Sequence, residues 1–180
     1  MGSHIHQNMV IHGEDIEVVT NYKYLGTVID DKLNWSCNTD TIYKKGMQRL
    51  YFMRKLRQFK VDRDMMRVFY HSFVESILCF CSVAWYFSLS IANKNKLHRI
   101  VNMASKIACQ PLNSMAMTVE TRVVKKANNI CEDLSHPLHR TYELLPSGKR
   151  HRMPSFQTNR ARRSFIPTSI SMLNKTTKTE

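Results

Sequence analysis

Asp30 and Asp31 stand side by side after a run that alternates like a strand, the arrangement used by metal-dependent polymerases. Two-metal phosphoryl transfer needs a further carboxylate from another strand, to hold the metals roughly 4 Å apart. The acids upstream, Glu14, Asp15 and Glu17, lie in or beside one tight hairpin and are poorly placed to supply it. The pair is read instead as the turn into the helix after Trp35, and no catalytic residue is assigned. Cys131, His136 and His139, with Cys109, suggest zinc. Their separations match neither a knuckle nor a finger, and His136 precedes Pro137 in a turn-like stretch. Cys79-x-Cys81 is too close for paired ligands. Capping and packing is the reading, and neither a metal nor a cofactor is expected. The sequence carries no glycine-rich phosphate loop, nucleophile elbow or paired-histidine zinc helix.

The remaining chemistry is charge. Lys+Arg number 27 against 14 Asp+Glu, a formal net charge of +13. Between Asp40 and Asp62 no acid occurs, while Lys44, Lys45, Arg49, Arg54, Lys55, Arg57 and Lys60 do. Between Glu75 and Glu120 there is again none, while Lys94, Lys96, Arg99 and Lys106 mark a later helix. Lys149, Arg150, Arg152, Arg160, Arg162 and Arg163 form a third tract. Charge runs are often only solvated faces. Three acid-free tracts repel one another, however, and a phosphate backbone relieves that repulsion with release of counterions. The expected partner is nucleic acid, duplex DNA or an RNA–DNA hybrid, bound without sequence specificity. Tyr24, Tyr51 and Phe52 are available for stacking or sugar contacts, or else for core packing.

The elements that must position these charges change character along the chain. Met9-Val10-Ile11, the turn His12-Gly13-Glu14 and Ile16-Glu17-Val18-Val19 read as a hairpin, with a third strand over residues 22–29. After Trp35 the period becomes helical. Ile42, Tyr43, Met47, Leu50, Met53 and Leu56 mark a first helix with Ser36 or Thr39 as cap, weakened by Gly46. A second helix opens near Asp62 and aligns Met66, Phe69, Phe73, Ile77, Phe80, Ala84 and Phe87. From Phe73 to Ile91 its only charge is Glu75, but four serines interrupt the run, so it reads as a buried central helix and no membrane partner is expected. Ser90 caps a third helix with Leu97, Ile100, Val101, Ala104 and Ile107 inward, which Pro111 stops. A fourth runs over residues 114–131. Beyond Asp133 five prolines and glycines break the pattern, and only residues 166–173 look helical, with Pro167 in the first turn.

The predicted architecture is mainly α with a small N-terminal antiparallel hairpin or three-strand element. It divides into a leader or tag remnant (1–8), a β portion (9–35), a helical bundle (36–133) and a basic tail (134–180). Five cysteines in no disulfide framework point to a reducing, intracellular setting, nuclear or cytoplasmic.

Read in order, several strings resemble the C-terminal portion of reverse transcriptases of LINE-type (non-LTR) retrotransposons, most like the Rex-type group. They are Val10-Ile11-x-Gly13, Tyr22-Lys23-Tyr24-Leu25-Gly26-Thr27-Val28-Ile29-Asp30, Leu33-Asn34-Trp35 and Gln48-Arg49-Leu50-Tyr51-Phe52-Met53-Arg54-Lys55-Leu56-Arg57. Ser135-His136-Pro137, Leu144-Leu145-Pro146-Ser147-Gly148-Lys149-Arg150, Thr158-Asn159-Arg160 and Ser164-Phe165-Ile166-Pro167 continue the series. The resemblance implies that Tyr24, Leu25 and Gly26 belong to a primer-grip-like end of the palm. It implies that residues 36–131 form a thumb around a template–primer duplex. The catalytic aspartates of that family fall before the point where this resemblance begins, so it implies a truncated, non-catalytic fragment. The segment around Phe69 to Ile107 is also similar to a short N-terminal segment of AlkB-homologue proteins, without an iron pair or a nucleotide loop. Three rivals stay open: a protein-interaction module using the N-terminal strand edge, an open reading frame with no function, and a catalytic part completed by another chain.

Overall fold

The computed structural model describes residues 10–176, so the expected leader 1–8 and Met9 lie outside the described residues. The chain is mainly helical with two small antiparallel sheets at its N-terminal end. Strand β1 (Val10–Ile11) pairs with β2 (Glu14–Asp15) around His12-Gly13. The expected third strand folds back on itself. It forms β3 (Asn21–Tyr24) and β4 (Thr27–Asp30), with Asn21 opposite Asp30 and Tyr24 opposite Thr27. Leu25 and Gly26 take φ of 45° and 87°, the two left-handed residues that a tight two-residue hairpin turn requires. The alternating pattern runs through both arms, which is why it reads as one strand.

Asp30 joins this hairpin to the helices. Buried to 5% exposure, its carboxylate accepts the Asn34 N–H at 3.0 Å and the Trp35 N–H at 2.8 Å. The N-cap of α1 (Ser36–Gln58) is Trp35, in the left-handed region and without a side-chain cap, so neither Ser36 nor Thr39 caps the helix. One residue earlier Asn34 accepts from the Ser36 N–H at 2.8 Å. Ile42, Gly46, Leu50 and Met53 form the buried face of α1. A Cβ on Gly46 would lie 2.6 Å from the Ile100 Cδ1, so glycine lets α5 (Ile91–Ala108) approach closely and offsets its poor helix propensity.

The central segment departs from a straight helix. It comprises α2 (Arg63–Phe69), a π-helical turn (Tyr70–Glu75), α3 (Ser76–Leu78), a break at left-handed Cys81, α4 (Ser82–Trp85) and a 3₁₀ turn to Ser88. The side chains turned inward are Met66, Tyr70, Val74 and Leu78, all at most 2% exposed, while Phe73 and Phe80 are each 48% exposed. Four-residue steps drift by about 40° on an α-helix, and the wider π turn takes up that drift. Of the predicted face, Met66 is buried and Phe69, Ile77 and Phe87 pack partly buried against the core, while Phe73, Phe80 and Ala84 are exposed. Fully buried Trp85 donates its indole N–H to the Phe80 carbonyl at 3.0 Å. No single helix among the described residues is long and apolar enough to cross a membrane. One pair, Arg63–Leu78 with Ser82–Ser88, passes on length and composition but is bent by 43°.

Ser90 caps α5 and Ser114 caps α6 (Met115–Glu132), each accepting at 3.2 Å from the N–H three residues on. The C-terminal segment packs on α6. Its elements are a 3₁₀ turn (His139–Tyr142), α7 (Asn159–Arg162) and α8 (Phe165–Thr176). Tyr142 and Ile170 join Ala127 and Ile130 in a second apolar cluster, where the Tyr142 hydroxyl meets Ser169 Oγ at 2.7 Å. Asn174 reads both backbone groups of His151, at 2.8 and 3.0 Å, and so ties the loop at Leu144 and His151 to α8.

Candidate nucleic-acid interface

Helix α1 decides what most of the candidate cations can do. With Ile42, Gly46 and Met53 turned inward, a rotation of 100° per residue sets Lys44, Gln48, Tyr51 and Lys55 on the opposite face. Lys45 and Phe52 flank this stripe. Lys44, Lys45, Arg54, Lys55 and Lys60 are exposed, as is Arg99 on α5, and none of them has an ion-pair partner among the described residues. Tyr51 and Phe52 are 54% and 49% exposed and meet edge to face with centroids 5.7 Å apart. Core packing is thus excluded for both rings. Lys55 Nζ lies 5.7 Å from the Tyr51 centroid, which alternates cation and ring along the stripe.

Other members of the tract are committed elsewhere. Arg57 is turned toward α5, where its Nη1 donates to the Lys106 and Ile107 carbonyls at 2.8 and 2.7 Å. A guanidinium there satisfies orphan carbonyls at a helix C-terminus and meets the negative end of its dipole. Lys96 forms an ion pair with Asp40 and sits 5.3 Å from the Tyr43 centroid. Lys94 lies 5.3 Å from the Tyr86 centroid; burial first, then Arg163, holds its ammonium below the ordinary lysine range. Arg49 is half-buried. The ten candidates therefore do not form one free surface. In the C-terminal tract, Arg160 Nη2 donates to the Lys32 carbonyl at 3.0 Å and Arg162 Nε to the Phe156 carbonyl at 3.2 Å.

Tyr24, Leu25 and Gly26 sit at the tip of the β3–β4 turn, with Tyr24 57% and Leu25 75% exposed. Gly26 and Lys45 line one cleft of about 360 Å³, together with Asn38, Ile42, Ile77 and Phe80. The Tyr24-Leu25-Gly26 turn and the basic helix, separate in the sequence, thus border a common space. Asn38 was missed by sequence reasoning. Its one signal is a polar residue four positions before Ile42, on what becomes the inner face.

The remaining titratable groups are structural. His136 Nδ1 accepts the Leu138 N–H at 3.1 Å, and His139 Nδ1 lies 3.2 Å from the Ile130 carbonyl. No group of three His, Cys, Asp or Glu among the described residues is arranged to hold a metal. Glu75 bridges His71 at 2.5 Å and Arg122 at 3.5 Å. Burial pushes the neighbouring Cys79 thiol up to about 11, against the pull of Arg122 and with help from Glu75. Burial likewise moves the Tyr70 phenol well above its ordinary range, aided by Glu75 and Cys79.

No curated protein and no solved structure matches the chain. A family model described as "Alkylated DNA repair protein alkB homolog 8, N-terminal" matches residues 35–76. That stretch contains α1, α2 and the whole π turn. The AlkB-homologue likeness expected over residues 69–107 therefore lies earlier in the chain and shares only residues 69–76 with that expectation. The match covers under a quarter of the chain's 180 residues, a local likeness centred on the basic helix.

Proposed function

We propose that this chain is a non-catalytic fragment of a LINE-type reverse transcriptase that grips nucleic-acid duplexes by their phosphate backbones. The observation that carries the reading is the solvent-facing stripe Lys44, Gln48, Tyr51 and Lys55, flanked by Lys45 and Phe52. From Lys44 to Lys55 the stripe is about 16 Å long at 1.5 Å per residue. Phosphates along one strand advance about 3.4 Å each, so a few lie within reach. Side chains of this kind position a duplex without reading its bases, and the rings add sugar or base contacts. The family resemblance of the Tyr24-Leu25-Gly26 and Gln48-to-Arg57 strings supports the same reading, with duplex DNA or an RNA–DNA hybrid as partner. The test is a fluorescence-anisotropy salt titration of the parent and of Lys44→Gln/Lys45→Gln/Lys55→Gln. Three lost phosphate contacts reduce the slope of log K against log salt by about 2.7. Weakening must be equal on unrelated duplexes. An unchanged slope reduces the stripe to a solvated face.

A second reading has its own observation. Val10, Ile11 and Tyr22 on the two-stranded sheets, Val18 in the connection between them and Leu25 in the β3–β4 turn are all at least 57% exposed, beside open strand edges. A protein strand added there supplies the pairing that isolated hairpins lack. Binding to a protein with weak salt dependence, retained by the triple Gln variant, favours this reading over the first. The likeness to the AlkB-homologue N-terminal model brings no oxygenase or methyltransferase chemistry to these residues.

A further inference from the structure

The cleft between the β3–β4 turn and α1 has the makings of a ligand site independent of any duplex. Its apolar lining is Ile42, Ile77 and Phe80, and Gly26 sits beside Phe80, where a Cβ would lie 3.4 Å from the ring. At about 360 Å³ it falls in the range of small-molecule pockets, which pair an apolar lining with few polar groups. Two polar groups stand out. Asn38, only 2% exposed, uses its carboxamide oxygen to accept the Val28 N–H at 3.2 Å. Its buried Nδ2 has no hydrogen-bond partner among the described residues, and Asn38 is one of the residues that line the cleft. Such a group costs free energy that an acceptor would recover. Lys45 stands at the other end, exposed and without an ion-pair partner among the described residues. Asn38 and Lys45 are seven residues apart on α1, about 10 Å along its axis.

We propose that this cleft binds a small amphipathic carboxylate: a flat apolar body with a neutral acceptor at one end and the anion at the other. The acceptor takes the Asn38 Nδ2 hydrogen, the body lies on Ile42, Ile77 and Phe80, and the carboxylate meets Lys45. A bulky anion without an apolar body leaves the orphan donor unmet, and an uncharged body leaves Lys45 unmet.

The probe is 6-methoxy-2-naphthoate, which carries an ether oxygen and a carboxylate at opposite ends of an apolar ring pair. It is titrated into the ¹⁵N-labelled chain. Saturable shifts of the Asn38 carboxamide and of the Gly26 and Thr41 amides are expected, with a Kd of about 1 mM or tighter for a ligand of this size. The matching naphthamide, or the Lys45→Gln variant with the naphthoate, weakens binding about tenfold. Lys44→Gln does not. Unsubstituted 2-naphthoate still binds, more weakly, but leaves the Asn38 carboxamide unmoved. Ile77→Trp fills the cleft and abolishes the shifts; its fold is checked by the amide spectrum of α5 and α6. Absence of saturation, equal binding of naphthamide and naphthoate, or shifts confined to Tyr22, Tyr24 and Leu25 on the exposed hairpin overturns the proposal. Since no duplex is used, failure here leaves the nucleic-acid reading untouched.

Discussion

Lys44, Lys45 and Lys55 on α1 and Arg160 and Arg162 near the C-terminus belong to tracts of similar composition, each long and free of acids. On α1 the lysines stand on an outward face with no ion-pair partner among the described residues. In the C-terminal tract, Arg160 reaches the Lys32 carbonyl beside the N-terminal hairpin and Arg162 reaches the Phe156 carbonyl. The difference lies in backbone, not in charge. A continuous helix satisfies its own carbonyls, so cations on its outer face have nothing to cap. A segment broken by prolines leaves carbonyls open, and a guanidinium with five donors in a fixed fork closes them. A cation in such a tract is thus free to bind only where no open backbone carbonyl, in its own segment or packed beside it, takes its donors.

Both tracts lean on one framework, so the largest effect comes from breaking that. Trp85→Ala removes a fully buried ring and is expected to cost about 3–5 kcal/mol in a denaturant melt. Phe80→Ala, at a side chain 48% exposed, should cost under about 1.5 kcal/mol. Equal losses would contradict the exposed position of Phe80 on the central segment. Arg57 then sharpens the comparison, because it belongs to the α1 tract by sequence but behaves like the C-terminal arginines. Arg57→Ala should destabilise by about 2 kcal/mol, through two lost charged hydrogen bonds at the end of α5. The salt slope of duplex binding should stay unchanged. A fall in slope with no loss of stability returns Arg57 to the binding face.

Smaller effects are expected from the C-terminal side. Arg160→Ala and Arg162→Ala each remove one exposed hydrogen bond, worth about 1 kcal/mol, and leave the slope nearly intact. If their double variant loses more slope than the α1 triple variant, the assignment of the two tracts is reversed. The smallest effect is at Lys94, where burial and then Arg163 depress the ammonium. A lysine lowered in the fold opposes folding while it is charged. That penalty fades as pH rises through its folded value toward the ordinary 10.5. Arg163→Gln should therefore move Lys94 up in an NMR titration and lessen the penalty at neutral pH.

Much of this was legible in the chain itself. Helical periodicity, the serine cap at Ser90 and the stop at Pro111 are local signals, and the structure places α5 and α6 where they fall, with Ser114 as a further cap. The outward position of Lys44 and Lys55 also follows from the period, since the inward face is marked by Ile42, Leu50 and Met53. The fold-back at Leu25-Gly26 carried a weaker signal, because alternation continues unbroken through a two-residue turn.

Other features were settled only by packing. A π turn leaves the sequence apolar all round, so the choice of Tyr70 and Val74 over Phe73 and Phe80 depends on which face meets α1 and α6. Whether a cation is free depends on carbonyls and carboxylates far along the chain: Arg57 on Lys106, Arg160 on Lys32, Lys96 on Asp40. The cleft that joins Gly26, Asn38 and Lys45 exists because the buried Asp30 carboxylate pins the hairpin against the start of α1. Composition fixed how much positive charge this protein has. Tertiary contacts decided which of it is left over, because hydrogen-bond partners are assigned by proximity in space and periodicity reports only the direction a side chain leaves its own helix.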